Sequence, residues 1–550
     1  MNEIKIVPLG GVGSVTKNMY VYEYGNELLV VDCGIGFPEE YMYGVDLLIP
    51  DVTYLQKRLA EGARIVGLCL THGHDDHIAA LPYVLPMLNA EFPIYGSRLT
   101  AAFAKARMAD QDYMREVQEY PEQPLHLGSF SIEAISVTHS VPDTRHLVIT
   151  TPAGILYHGS DFKFDMTPII GERSEFDKIA EAGNRGILCA LVDCLRVERG
   201  SWSASEAVIR GTLEKAIREC PGKFIVTLMS SNLHRIQQTV DVAAEHDRKV
   251  VFVGRSVEQN VRIAQELGLL NIPKGMYVQK KHIQDYKDEE LCVIIAGSQG
   301  QPGSSLVRAV YGEHPIINVS KKDKIVFSTE PIPGNEPNVY STIDEISRNG
   351  VEVLYSDIED NLHVSGHAGE AEQQLLISLL KPKYLFPIGG ADRHRVAFEH
   401  MAEDLGFSEQ QVLLPKLGQI VEFIDRVARL GDTLSLKELM VDGLRIGDVG
   451  NIVLADRKKM AEEGMVVVIV PERGGMLYPM ETYVVSRGFV FMKNADEIVD
   501  LIKETTQSLV NGHRDMGEGE LKREIEKTLV RELEKETGRK PLILPVFLSV

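Results

Sequence analysis

Apolar positions along the N-terminal part of the chain come in short runs closed by glycine or polar turn residues. Runs at 4–9, 19–24, 28–34 and 65–70 follow this pattern and predict buried strands. From 224 onward the pattern changes. Apolar runs at 224–228, 250–253, 291–296 and 325–328 each lead into a loop of Ser, Asn, Gly or Arg, with helix-like spacing between them. That alternation predicts a parallel sheet covered by helices. Helical periodicity is clearest at 205–220, where Ile209, Leu213, Ala216 and Cys220 share a face, and at 518–537, where Leu521, Ile525, Leu529 and Leu533 do. Residues 78–88 predict one helix carrying His77 at its start. Runs at 465–471 and 541–546 predict two late strands.

Composition sets bounds on this picture. A chain of 550 residues is too long for one core and implies about three or four domains. No apolar run reaches the ~18 residues needed to span a bilayer, and the N-terminus lacks a signal peptide's apolar region. No membrane association and a cytoplasmic location are therefore expected. Six scattered cysteines without a CxxC pair indicate neither a disulfide framework nor a thiolate metal site. The net charge of −21 argues against a general nucleic-acid coat protein. It leaves room for a nuclease with a local basic channel.

The chemistry concentrates at 72–77, His-Gly-His-Asp-Asp-His, directly after the strand at 65–70. His72, His74, Asp76 and His77 offer imidazole and carboxylate donors of the kind zinc prefers. Two more candidates follow strands: His139 and Asp161. Asp32, ending the run at 28–34, could orient a ligating histidine or cap a turn. The loop Gly10-Gly11-Val12-Gly13 is followed by a strand rather than a helix, which argues against dinucleotide binding. Further on, His363-Val364-Ser365-Gly366-His367 combines a flexible glycine, a hydroxyl and two imidazoles, a set suited to a phosphate or to proton transfer.

The order strands, HxHxDH, distant His, Asp resembles the metallo-β-lactamase fold. The resemblance implies an αββα sandwich with metal at the sheet edges. His72, His74 and His139 would hold one Zn²⁺, Asp76 and His77 would help to hold a second, and Asp161 would bridge them. Water between the ions would attack phosphorus or carbonyl carbon.

The match extends through nearly the whole chain, including 231–238, 254–256, 297–302, 332–336, 363–368 and 387–393. In this it resembles the ribonuclease J family of metallo-β-lactamase/β-CASP nucleases. The fold class implied is α/β: a metallo-β-lactamase sandwich split by a Rossmann-like β-CASP insertion, plus a small C-terminal α/β domain. We divide the chain at 1–206, 207–360 (insertion), 361–440 (return), 441–465 (linker) and 466–550. By the same resemblance Asp193 is the first β-CASP acidic residue and His367 lies near the scissile phosphate. Ser231, Asn232 and the loop 363–367 would hold RNA phosphates and help to read a 5′-monophosphate. A structural Ca²⁺ near Asp448, self-association as a dimer or tetramer, and a paralogous subunit or other RNA-decay proteins as partners are also implied.

Three stretches depart from the family. Its third β-CASP motif, Pro-Val-His-Gly-Glu, reads Pro387-Ile388-Gly389-Gly390-Ala391 here, so Gly389 replaces a metal-ligating histidine. Asp392 and His394 are candidates to reach in, although His394 has a plain surface reading. The loop 13–17 (Gly-Ser-Val-Thr-Lys) and the segment 193–198 (Asp-Cys-Leu-Arg-Val-Glu) also differ from the family's usual residues. Two readings result. The first is a zinc-dependent ribonuclease with 5′–3′ exonuclease and endonuclease modes, in which Asp76, Asp193 and His367 are catalytic. The second is an RNA-binding or scaffold subunit with a weakened second metal site. Hydrolysis of a small ester or lactam fits less well, because such a substrate needs no insertion to clamp it.

Overall fold

The structure is a computed structural model and describes all residues except 1–2, 40, 333, 444, 448–449 and 490–495. Asp448, near which a calcium is expected, therefore lies outside the described residues. The chain divides into two compact units, residues 1–37 with 48–439, and residues 38–47 with 440–550.

Two sheets face each other in the first unit. One has eight strands, in the order Val427–Thr433, Gln419–Ile424, Glu3–Pro8, Tyr20–Tyr24, Glu27–Val31, Arg64–Cys69, Ile94–Gly96, Gln118–Glu119. The other has six, in the order Tyr384–Ile388, Ile187–Asp193, Gly154–Gly159, Thr144–Thr151, Phe130–Val137, Leu125–Leu127. Alternate residues of both sheets, among them Ile6, Tyr22, Leu29, Ile132, Leu147 and Phe386, meet in one buried core. Helices Phe176–Asn184, Glu370–Leu380 and Asp392–Asp404 cover the outer face of the six-stranded sheet. Helices Thr53–Ala60 and Arg98–Ala109 pack on the eight-stranded one. This is the expected αββα sandwich.

Strands Ile187–Asp193 and Tyr384–Ile388 are parallel neighbours, and the insertion leaves the sandwich after the first and returns before the second. Its sheet is wholly parallel, in the order Lys249–Val253, Leu291–Ile295, Phe224–Thr227, Lys324–Phe327, Glu352–Leu354. Four of these strands are the apolar runs read from the sequence. The fifth, Glu352–Leu354, has only three residues and too little pattern to announce itself. The return segment completes both sheets of the sandwich, through Tyr384–Ile388 and Gln419–Ile424.

In the second unit Met465–Arg473 is the central strand. It pairs antiparallel with Tyr483–Arg487 and parallel with Leu542–Ser549. Val466, Val468 and Ile543 pack against Leu521, Ile525, Leu529 and Leu533 of helix Glu518–Thr537. Each such buried side chain contributes about 1.5–3 kcal/mol. The other sheet face exposes Tyr483, Val485, Leu544 and Leu548.

One expected element needs correction. Residues 78–88 are not one helix: Asp75–Ile78 forms a single turn and Leu81–Leu88 a separate helix, whose Pro82 sits in its first turn, where no amide hydrogen is needed. Residues 441–465, expected as a linker, are structured. They hold helix Asn451–Glu463, which Gly464 ends at φ +80°, and Arg457 of that helix pairs with Asp442. Among the described residues no helix is long and apolar enough to cross a membrane.

Candidate metal centre

The ligand loop begins where strand Arg64–Cys69 ends at the sheet edge. The buried carboxylate of Asp32, held at φ +60°, anchors it from the neighbouring strand. Asp32 Oδ1 accepts from the Thr71 amide at 2.8 Å, and Oδ2 accepts from the Thr71 hydroxyl at 2.8 Å and from His77 Nδ1 at 2.7 Å. Having donated its proton to Asp32, the Thr71 oxygen accepts from His72 Nδ1 at 3.0 Å. His139 Nδ1 donates to the Gly366 carbonyl at 2.7 Å. The last two bonds fix the tautomers of His72 and His139 and leave Nε2 of each as a lone pair facing the cleft, while the bond to Asp32 orients the His77 ring. Asp32 therefore orients a histidine, the first of its two sequence readings.

Those lone pairs converge. His72 Nε2 lies 3.1 Å from His74 Nδ1, His139 Nε2 lies 3.2 Å from the same atom, and Asp161 Oδ2 is 3.6 Å from His72 Nε2. A tetrahedral cation with ~2.0–2.1 Å bonds to nitrogen requires donors ~3.3 Å apart. The first set, His72, His74, His139 and Asp161, fits that spacing. Burial keeps His72 and His139 well below the ordinary imidazole pKa and lowers His74 to about 4. All three stay neutral, as metal ligands must.

A second set, Asp76, His77 and Asp161, shares the Asp161 oxygen. His77 Nε2 is 3.5 Å from Asp161 Oδ2 and 3.8 Å from Asp76 Oδ2. Burial raises the Asp76 carboxyl to about 6. Burial alone would neutralise His77, but Asp161 and Asp32 outweigh it and hold the imidazole pKa well above its usual value. Cationic here, His77 must lose a proton before it can ligate.

A third group adjoins both. His367 Nδ1 donates to Asp193 Oδ2 at 2.7 Å, and Asp161, Asp193 and His367 form a cluster. Burial opposes charge on His367, yet Asp193 and Asp161 overcome it and push its pKa up to about 9.

Gly389 borders this cluster at φ +67°. A Cβ built there would lie 3.5 Å from Asp193 Oδ1 and 3.7 Å from Asp161 Oδ1. The position faces Asp193 and Asp161, the carboxylate that both donor sets share, and brings no donor. Neither proposed substitute enters a donor set among the described residues. Asp392 pairs with Arg395 and points outward. His394 is buried rather than on the surface, because its Nδ1 accepts from the Ala391 amide at 3.3 Å and closes the first turn of its helix.

The expected phosphate-holding residues divide. Ser231 is half-exposed in the loop after Phe224–Thr227. Asn232 is buried: its Oδ1 accepts from the Arg235 amide at 3.1 Å and its Nδ2 faces Glu206 at 3.4 Å. His363 Nδ1 and the Val364 carbonyl accept from Arg235 at 2.9 and 2.5 Å. The Ser365 hydroxyl accepts from the His367 amide at 3.1 Å. Gly366 packs so closely that a Cβ would meet Ser140 at 2.8 Å and His139 at 2.9 Å.

Sequence reasoning missed the residues that join sandwich to insertion. Arg235, 1% exposed, pairs with Glu206 and donates to the Ser328 carbonyl at 2.6 Å. Burial opposes the Glu206 charge, but Arg235 and Lys163 outweigh it and hold the carboxyl at about 2. Removing one partner from such a buried cluster costs about 3–5 kcal/mol. Asn18 was missed too. Its Nδ2 lies 3.0 Å from His77 Nε2, and its backbone amide donates to the Asp76 carbonyl. A lone polar residue in a turn gave no signal of this.

Comparison with known proteins places these features. Residues 12–161 match the metallo-β-lactamase superfamily, 221–346 the ribonuclease J β-CASP domain, 350–415 the Zn-dependent metallo-hydrolase RNA specificity domain, and 452–550 the ribonuclease J C-terminal domain. The chain is 36% identical to ribonuclease J of Thermus thermophilus, over all of this chain and 96% of that one. The chain belongs to the ribonuclease J family. It is 32% identical to ribonuclease J2 of Bacillus subtilis, over all of this chain and 99% of that one. Among solved structures, a protein of unknown function from Enterococcus faecalis covers 76% of this chain at 13% identity with a TM-score of 0.53, a likeness of fold. As a family member the chain is a metallo-hydrolase of the ribonuclease class. Its clustered donors suit the divalent metal that its superfamily implies.

Proposed function

We propose that the metal is zinc and that this family member cleaves RNA both from the 5′ end and internally, in the cytoplasm, with a preference for a 5′-monophosphate. The observation that carries this reading is the convergence of three neutral imidazole nitrogens and Asp161 on one point, with His367 and Asp193 beside them. Bound there, zinc would lower the pKa of water and offset phosphate charge. The chain's own residues do the rest. Asp161 faces both donor sets and aligns them. Asp193 holds the His367 ring so that its other nitrogen can bind a phosphate oxygen or give a proton to the departing one. Arg235 fixes His363 and Val364, and Ser365 braces His367, so the loop is shaped before RNA arrives.

The test measures zinc per chain alongside cleavage of 5′-monophosphorylated and 5′-triphosphorylated RNA. Zinc-dependent cleavage that Asp76→Ala abolishes is the expected result. Cleavage that is indifferent to zinc, or to Asp76→Ala, would overturn the proposal.

Gly389 favours a second reading: an RNA-binding or scaffold subunit that works beside an active paralogue. An inert parent that gains cleavage on Gly389→His would establish it. The exposed row Tyr483, Val485, Leu544 and Leu548 supports self-association as a dimer or tetramer, or a partner among RNA-decay proteins.

A further inference from the structure

Arg107 lies on helix Arg98–Ala109 of the sandwich, and its side chain is 13% exposed. Its guanidinium has two partners in different places. Nε donates to Asp75 Oδ1 at 2.7 Å, and Nη1 donates to Gln259 Oε1 at 2.7 Å. Gln259 is held from its other end as well, because its Nε2 donates to Asp110 at 3.0 Å.

The two partners sit in telling positions. Asp75 opens the one-turn helix Asp75–Ile78, whose next residues are Asp76 and His77 of the second donor set. Gln259 lies on helix Arg255–Glu266 of the insertion. That helix follows strand Lys249–Val253 at the carboxyl edge of the parallel sheet, the edge where open α/β sheets hold their ligands. Gln259, Arg107 and Asp75 thus form a hydrogen-bonded chain from this helix of the insertion to the turn that carries Asp76 and His77.

We propose that Arg107 is a positioning residue that couples RNA held by the insertion to the hold on the cation at Asp76 and His77. A shift of helix Arg255–Glu266 moves Gln259, and through the rigid guanidinium fork it moves Asp75 and the turn behind it. The set that needs this help is the one with three donors rather than four. In the first set His74 precedes Asp75 and borders the same link, whereas His72 and His139 are held apart from it by Thr71 and Gly366. The inference rests on the metal-dependent reading above, and it adds reciprocity: RNA tightens the second ion, and the second ion tightens RNA.

The test follows zinc release from the full-length, zinc-loaded protein into a colorimetric chelator, with and without saturating single-stranded RNA. In the parent, RNA should slow release of the faster-leaving zinc by about fivefold, the low end of ordinary couplings. Gln259→Ala keeps the bond between Arg107 and Asp75. It should leave release without RNA unchanged and abolish the RNA effect. Arg107→Ala should speed release even without RNA and also abolish the effect. Circular dichroism and RNA affinity without zinc check that the variants fold and bind. An RNA effect that persists in Gln259→Ala, or is absent from a parent that binds both zinc and RNA, overturns the coupling alone. A parent that binds no zinc overturns the metal-dependent reading instead.

Discussion

The two donor sets share the Asp161 oxygen and differ in almost everything else. The first joins residues from three strand ends, with its imidazoles locked by Thr71 and Gly366 and kept neutral by burial. The second rests on one helical turn, with a carboxyl raised by burial, an imidazole held cationic by its neighbours, and a glycine facing the shared Asp161. Donor count is only part of the contrast. The first set is ready to bind a cation at neutral pH, whereas the second must release a proton and rely on outside support. A complete ligand motif in sequence can therefore encode one strong position and one conditional one.

Removing a first-set ligand should have the largest effect. His139→Ala is expected to lower RNA cleavage by about 10³-fold, corresponding to several kcal/mol of lost charge stabilisation, and to empty the first position in metal analysis. A loss no larger than that of second-set variants would erase the distinction. Asp32→Ala frees His77 from its orienting carboxylate and should weaken the second ion about 10–100-fold in competition titrations, while the first ion is held through Asp161, His74 and His139. Gly389→His should act in the opposite direction and tighten the second ion about tenfold. It should also lower thermal stability by about 1–2 kcal/mol, because a side chain must adopt φ +67° there. Acidification should separate the positions more gently. His77 takes up its proton above the usual imidazole range and Asp76 as pH falls through about 6, whereas His74 resists down to about 4. A ligand is competent only above its pKa, so the second ion should leave at least about one pH unit before the first, as read by zinc release between pH 8 and 4.

The fold and the first donor set were legible because their signals are local. HxHxDH places four donors within six residues of one strand end, and strands such as Arg64–Cys69 and Leu291–Ile295 carry their own apolar runs. The rest depends on distant pairs. Arg235 meets Glu206 and His363, and Arg107 meets Asp75 and Gln259, across sequence gaps that no periodicity spans. His394 misled for the same reason. One of its partners, Glu198, lies far away in sequence, and the other, the Ala391 amide, is a local turn contact that leaves no mark in residue type. Asn232, expected at a phosphate, caps helix Leu233–Glu245, since helix caps and phosphate loops favour the same side chains.

Native mass spectrometry of the zinc-loaded chain, after dialysis at neutral pH without added metal, tests the central contrast most directly. One zinc retained per chain in the parent, and two in Gly389→His, is the predicted result. Two zinc ions held equally by the parent, or none at all, would contradict it.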